Sequence, residues 1–234
     1  MLKLVQFHPA FGIRNMSPYC LKLETYLRMA GLEHEVVWNS DTSKAPKGKL
    51  PYIIDGDTVM GDSALIIDYL KEKHGDPLDG ALTPEQKAQM LAWRSLFEDS
   101  LMFPILHARW IDPVGWEKMK TLFDRMPLPL RLTIPGIVRN GVRKQLYSQG
   151  MGRHTQEEIY GFGVQYLEAI EIQLGDKTFV LGDTPTSLDA TAYGFLANLV
   201  DTDFDNPLNR KACGTPSFVA YCARIKQGYF ADLQ

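Results

Sequence analysis

Ser17-Pro18-Tyr19-Cys20-Leu21-Lys22-Leu23-Glu24-Thr25-Tyr26-Leu27-Arg28-Met29 follows a short alternating segment, Leu2-Lys3-Leu4-Val5-Gln6-Phe7, and stops at Gly31. The alternating segment predicts a strand, and the periodic apolar positions after Ser17 predict a helix. Pro18 suits the first helical position, because a backbone N–H there would lack an intrahelical partner. Working outward, Val36-Val37-Trp38 predicts a second strand, and Tyr52-Ile53-Ile54 and Thr58-Val59-Met60 predict two more, joined by the turn Asp55-Gly56-Asp57. Apolar spacing from Ala64 to Tyr69 then predicts a helix ending near His74-Gly75. The order is strand, helix, three strands, helix: an α/β unit with a mixed four-stranded sheet, placed at residues 1–76.

The polar and turn-forming residues 75–80 mark a boundary, after which strand signals nearly vanish. A helix is expected from Pro84, with Trp93, Phe97, Leu101 and Ile105 at four-residue spacing and a kink or break at Pro104. Thr155-Gln156-Glu157-Glu158 and Thr186-Ser187-Leu188-Asp189 are capping boxes that open two further helices. Residues 84–234 are therefore read as an all-α domain.

Composition restricts the function classes. The chain of 234 residues has 25 basic and 28 acidic side chains, a net charge of 25 − 28 = −3, which gives no electrostatic reason to expect nucleic acid as the main partner. Three cysteines (Cys20, Cys213, Cys222) do not make a disulfide framework, so a reducing, cytoplasmic setting is expected. No apolar run approaches the roughly 18 residues of a transmembrane segment. Five scattered histidines have no ligand spacing, so no metal site is expected.

Three places carry chemistry. Ser17 stands at a strand-to-helix junction, where free N–H groups and the helix dipole stabilise an anion. Without a visible His-Asp partner its hydroxyl is no hydrolytic nucleophile; it is either a plain helix cap or a hydrogen-bond donor to a ligand anion. Lowering a ligand thiol by two pH units requires about 2.7 kcal/mol. One charge-assisted hydrogen bond, at about 1.5–3 kcal/mol, together with a helix terminus, is of that size. Cys20 takes the second position of a Cys-x-x-Cys pair whose first position is Ser17. Intramolecular dithiol exchange is therefore unavailable, and a buried apolar role or a monothiol redox role remains. Lys49-Leu50-Pro51-Tyr52 places a proline at the start of a strand, suited to a cis bond that leaves the Leu50 backbone for an extended ligand. Asp62-Ser63 opens the second helix; the pair either caps it or holds an amine and a carboxylate.

In this order, the motifs resemble the glutathione transferase family, a thioredoxin-like domain followed by an all-helical domain. Ser17-Pro18-Tyr19-Cys20 is similar to its Ser-Pro-Phe/Tyr-x motif, Gly48-Lys49-Leu50-Pro51 to its proline loop and Asp62-Ser63 to its acidic-Ser pair; residues 179–189 resemble its second-domain capping motif. The resemblance implies glutathione as co-substrate. Ser17 would face its sulfur and be the catalytic residue; Leu50 and Pro51 would hold the cysteinyl residue, Asp62 and Ser63 the γ-glutamyl end and Lys49 the glycyl carboxylate. Lys44 and Lys47 are the other candidate cations for that carboxylate, Lys49 being preferred because it matches the loop motif. The resemblance also implies transfer to a small hydrophobic electrophile, and a homodimer.

Within the superfamily, residues 17–29 with Lys47-Gly48-Lys49-Leu50-Pro51-Tyr52-Ile53 are closest to the failed-axon-connections and metaxin-like branch. Metaxin-like members are associated with mitochondrial import, so the resemblance also implies a non-catalytic binding or adaptor role as the alternative. Asp62 is one methylene shorter than the family's usual Glu or Gln, and residues 39–48 leave room for no more than a rudimentary helix. Trp93, Phe97, Met102, Phe103 and Trp110 are chemically suited to an electrophile pocket, but a helical core is the first reading of each and none is assigned to a pocket. Between Leu130 and His154 the chain has Arg131, Arg139, Arg143, Lys144 and Arg153 with no acidic residue. This basic stretch suits either a helix packed by its apolar side or contact with a membrane surface, an acidic partner or an anionic co-substrate.

Overall fold

The computed structural model describes residues 1–233. The N-terminal half runs β1 (Leu2–Gln6), α1 (Pro18–Met29), β2 (His34–Trp38), β3 (Tyr52–Asp55), β4 (Thr58–Gly61) and α2 (Ser63–His74). The four strands form one mixed sheet in the order β2-β1-β3-β4. β1 lies parallel to β2 and antiparallel to β3, with Val5 opposite Tyr52, and Tyr52 in turn opposite Gly61. This register brings the end of β1, the start of β3 and the end of β4 to one end of the sheet. The segments that follow β1, precede β3 and follow β4 carry Ser17, Leu50-Pro51 and Asp62-Ser63 respectively, so topology alone gathers the three motifs.

α1 and α2 each begin where the sequence supplies a cap. The Ser17 side chain accepts a hydrogen bond from the Cys20 N–H, with Pro18 in the first turn; Asp62 accepts from Ala64 and Leu65. Between β2 and β3 the only helical piece is a single 3-10 turn, Pro46–Gly48, the rudimentary helix its length allows. Leu4, Leu23, Leu27, Ile53, Ile66 and Leu70 pack together against the sheet, each worth about 1.5–3 kcal/mol when fully buried.

The C-terminal half contains α3 (Pro84–Ser95), α4 (Met102–Leu106), α5 (Pro113–Lys120), α6 (Leu128–Gln149), α7 (Gln156–Leu174), α8 (Ser187–Val200), α9 (Pro207–Cys213) and α10 (Pro216–Tyr229). The helix expected from Pro84 does not simply kink at Pro104. It widens into π-helical turns at Leu96–Leu101 and His107–Ile111, on either side of α4. Proline lacks an N–H and crowds the preceding turn, and the wider turn relieves both: Met102 N–H donates five residues back, to the Phe97 carbonyl. Both capping boxes form, at Thr155 and Thr186.

α8 is buried along nearly its whole length and packs lengthwise on α1. Leu21 of α1 belongs to the same core as Phe97, Leu101, Leu188 and Phe195, so one apolar cluster spans both halves of the chain. The basic stretch forms α6, which packs by its apolar side only in part. Leu146 is buried, whereas Leu130, Leu132 and Ile137 are exposed. Arg139 donates to the carbonyls of Trp110 and Ile111 and lies over the Trp116 ring, and Arg131 pairs with Asp124.

Candidate functional site

Ser17 is half-buried, with extended backbone (φ −87°, ψ 116°) immediately before α1. Its Oγ accepts the Cys20 N–H at 3.4 Å, so the hydroxyl hydrogen is left to donate elsewhere. The residue is held from behind: its N–H donates to Oδ1 of buried Asn15 at 3.0 Å, and Asn15 Nδ2 donates to the Phe7 carbonyl at 2.8 Å. The loop between β1 and α1 includes Phe11 at φ 52° and Gly12 at φ 80°, and this asparagine ties the end of that loop to the end of β1.

Contacts from the helical half fix the same loop. Arg109, in the π-helical turn after α4, donates from Nη1 to the Met16 carbonyl at 2.8 Å. Its Nη2 donates to the carbonyl and Oδ1 of Asn198, both at 2.8 Å. Asn198 Nδ2 reaches the Asn15 carbonyl at 3.1 Å and the Gly194 carbonyl at 2.8 Å. Tyr19 donates its hydroxyl to the Glu98 carbonyl, and buried Lys22 donates to Glu98 Oε1 at 2.6 Å. Burial lowers the Lys22 pKa and Glu98 works against it.

Cys20 is fully buried among Val5, Ala45 and Leu50. Burial pushes its thiol up to about 12, against the hydrogen bond to Ser17. Burial and the raised pKa both argue against the monothiol redox role.

The peptide Leu50–Pro51 is cis. Asp62 has φ 87° and ψ 114°, an uncommon backbone for a residue with a Cβ, and its side chain bonds the N–H groups of Ala64 and Leu65 at 3.0 and 3.4 Å. Asp62 is thus a helix cap, with its other oxygen 3.9 Å from Lys47 Nζ. Ser63 is buried, and its hydroxyl makes no hydrogen bond to another side chain or carbonyl among the described residues. Lys49 is exposed, and Lys47 Nζ lies 3.9 Å from Asp62 Oδ2.

The aromatic candidates separate. Phe97 is wholly buried in the helical core, and Trp93 and Met102 pack against that core. Trp110 instead joins Phe11 and Met16 against Trp116, Met119 and Phe204. An apolar cluster therefore begins at the residue before Ser17. A cavity of about 100 Å³ between α1, α2, α3 and α8, lined by Lys22, Ala64, Ile67 and Arg94, is too small for a ligand of glutathione's size.

Sequence reasoning missed Asn15, Arg109 and Asn198. Asn15 had a local signal, an Asn two residues before a helix cap, which favours side-chain bonding to the backbone two residues on. Arg109 and Asn198 had none, because they reach the site only through tertiary packing.

Comparison with known proteins accords with this geometry. The family model described as the glutathione S-transferase N-terminal domain matches residues 18–115, and that for the C-terminal domain matches residues 163–225. The isoprene-epoxide glutathione S-transferase of Rhodococcus sp. (strain AD45) is 35% identical over 237 residues, covering 98% of this chain and 99% of the relative. Failed axon connections of Drosophila melanogaster is 32% identical over 99% of this chain, which spans 59% of that relative. Human Metaxin-2 is 28% identical, covering 91% of this chain and 82% of its own. Among solved structures, the beta-etherase of Sphingobium sp. strain SYK-6 has TM-score 0.64 at 18% identity, covering 96% of this chain and 94% of that one. A Methylobacterium radiotolerans glutathione S-transferase in complex with glutathione sulfonate has TM-score 0.62 at 18% identity, covering 99% and 93%. Identity above 30% over almost the full length of two chains, together with the two domain models falling in order along this one, makes it a member of the glutathione S-transferase superfamily.

Proposed function

We propose that this protein binds glutathione, stabilises its thiolate with the Ser17 hydroxyl and transfers it to a small apolar electrophile. The observation that carries this reading is the convergence at one end of the sheet of a serine hydroxyl at a helix N-terminus, the Leu50-Pro51 backbone and the Asp62-Ser63 pair. In mechanism, the thiol of bound glutathione loses its proton to solvent. The thiolate then accepts a hydrogen bond from Ser17 at the positive end of α1, and its sulfur bonds the electrophilic carbon. As it does so, that carbon's bond to its leaving group or ring oxygen breaks, the electron pair going to the departing atom, which takes a proton from solvent where it needs one. Leu50 would pair with the cysteinyl backbone, Ser63 would donate to the γ-glutamyl carboxylate and Asp62 would accept from its amine. Lys49, on the proline loop, would reach the glycyl carboxylate, with Lys47 as a second cation on the same turn. The Phe11-Met16-Trp110 cluster suits an apolar electrophile. The relative named for isoprene-epoxide conjugation, similar over the whole chain, supports the transferase reading.

The similarity to Failed axon connections and Metaxin-2 favours a second reading, a binding or adaptor protein on the same fold. Calorimetric titration of the reduced protein with glutathione, beside Ser63→Ala, separates the two. Saturable binding weakened by the substitution supports the first; no binding at millimolar glutathione supports the second. Cytoplasmic location and a homodimer belong to the transferase reading and are checked by fractionation and by sedimentation velocity.

A further inference from the structure

The cations around Ser17 differ in one respect. Arg14 forks onto buried Glu24, Lys22 pairs with Glu98, and Lys118 pairs with Asp203. Arg109 is buried, yet no carboxylate among the described residues pairs with it. Its partners are the Met16 carbonyl and the carbonyl and amide oxygen of Asn198, with the Phe204 ring 5.5 Å from the guanidinium carbon. Each of these partners is neutral, so the full positive charge remains inside the protein, bonded to the carbonyl of the residue before Ser17. Burial draws its pKa down to about 9, which leaves the guanidinium protonated at neutral pH.

A charge held this way acts over a distance at which a surface charge is screened. Glu98, whose carbonyl takes the Tyr19 hydroxyl, is paired with Lys22, while Asp62 and Asp99 also act on Tyr19 and Asp62 faces Lys47. Glu24, further along the helix, is taken by Arg14 and Arg28. The same guanidinium also positions the loop: it fixes the carbonyl before Ser17 directly, and through Asn198 it fixes Asn15, which receives the Ser17 N–H.

We infer that Arg109 is a positioning residue for the reaction, setting the Ser17 loop and supplying an unneutralised positive charge that stabilises an anion at the Ser17 hydroxyl. The identity of that anion as glutathione thiolate rests on the function proposed above; the charge effect does not.

The test uses a thiol built into the site. In a Cys20→Ala, Cys213→Ser background, so that no Cys-x-x-Cys pair forms, Ser17→Cys introduces a probe whose ionisation is followed by thiolate absorbance across a pH series. It should titrate below the ordinary thiol value of about 8.5. Arg109→Gln should raise its pKa by roughly one unit or more, whereas Arg109→Lys, which keeps the charge, should leave it low. Should Arg109→Gln fail to fold, Asn198→Asp sets a carboxylate against the guanidinium and should raise the probe pKa likewise. An unchanged probe pKa in the folded Gln or Asp variant overturns the inference. In the protein with Ser17 intact, Arg109→Gln should lower kcat for conjugation about tenfold or more at saturating glutathione below pH 8, with the loss shrinking as pH rises. A probe that responds to Arg109 in a protein that binds no glutathione refutes the ligand assignment and upholds the charge effect. Glutathione binding with an unresponsive probe does the reverse.

Discussion

Gly194 on α8 faces the Pro18 carbonyl so closely that a Cβ on the glycine would sit 2.6 Å from that oxygen and 3.0 Å from the Lys22 nitrogen. The contact lets the two helices approach backbone to backbone at the turn that carries Ser17. Gly194→Ala must therefore push α1 and α8 apart. A loss of about 1–3 kcal/mol in urea unfolding is expected, together with weaker glutathione turnover. Gly136→Ala is the control: it lies in α6 with nothing within 4 Å of an added Cβ. There the substitution should stabilise by about 0.5–1 kcal/mol.

On the proposed reading, replacing the Ser17 hydroxyl removes the donor to the thiolate together with the acceptor of the Cys20 N–H, and leaves the Asn15 contact to the Ser17 N–H in place. A charge-assisted hydrogen bond of about 1.5–3 kcal/mol corresponds to roughly a 10- to 150-fold lower kcat for Ser17→Ala. The KM for glutathione should change much less, because the peptide ends of the ligand are held elsewhere. Steady-state kinetics with a reactive electrophile check this, and conjugation at the wild-type rate would refute the role of Ser17.

The N-terminal half was legible because its signals are local. A proline-initiated helix, an Asp-Gly hairpin and a proline before a strand each state their own geometry, and the register of β1, β3 and β4 then gathers them. The capping boxes at Thr155 and Thr186 were legible for the same reason. The π-helical turns around α4 were not, since Pro104 announces a disturbed helix without saying whether the chain kinks or widens. Arg109 and Asn198 were invisible because nothing near them in sequence relates to Ser17. Trp93 and Phe97 share the four-residue spacing that runs to Ile105, and Trp110 falls outside it; in space Phe97 goes into the core and Trp110 towards Met16.

Acid sensitivity should trace to His107. Its ring is buried edge-on to Tyr160 at 5.9 Å, and its Nε2 has no hydrogen-bond partner among the described residues. Burial lowers its pKa, with Asp112 and Gln156 opposing. The unfolded chain therefore binds a proton here more readily than the folded one. Stability is fully present above the unfolded value of about 6.5 and is lost as pH falls from there through the depressed folded pKa. Urea midpoints at pH 7.5 and 5.5 should differ more for the wild type than for His107→Gln. Equal differences in the two proteins would assign the acid sensitivity to other groups.

Asp189 gives the largest expected loss. The carboxylate is completely buried at the third position of α8 and accepts four hydrogen bonds: at Oδ1 from the Val180 N–H and the Tyr221 hydroxyl, at Oδ2 from the Thr186 N–H and hydroxyl. Burial raises its pKa and the hydrogen bonds act against that rise. Every partner is a donor, so Asp189→Asn, nearly identical in shape, sets an NH2 group against one donor pair. The loss should be about 3 kcal/mol or more, as for a buried polar constellation broken on one side. Tyr221→Phe removes one of the four donors and leaves the carboxylate held by three, for a loss of about 1 kcal/mol. Since α8 is the helix against which α1 is seated, unfolding of Asp189→Asn by urea should abolish glutathione binding at concentrations where Tyr221→Phe still binds. If the two variants unfold at the same urea concentration, the four-donor account of Asp189 is wrong.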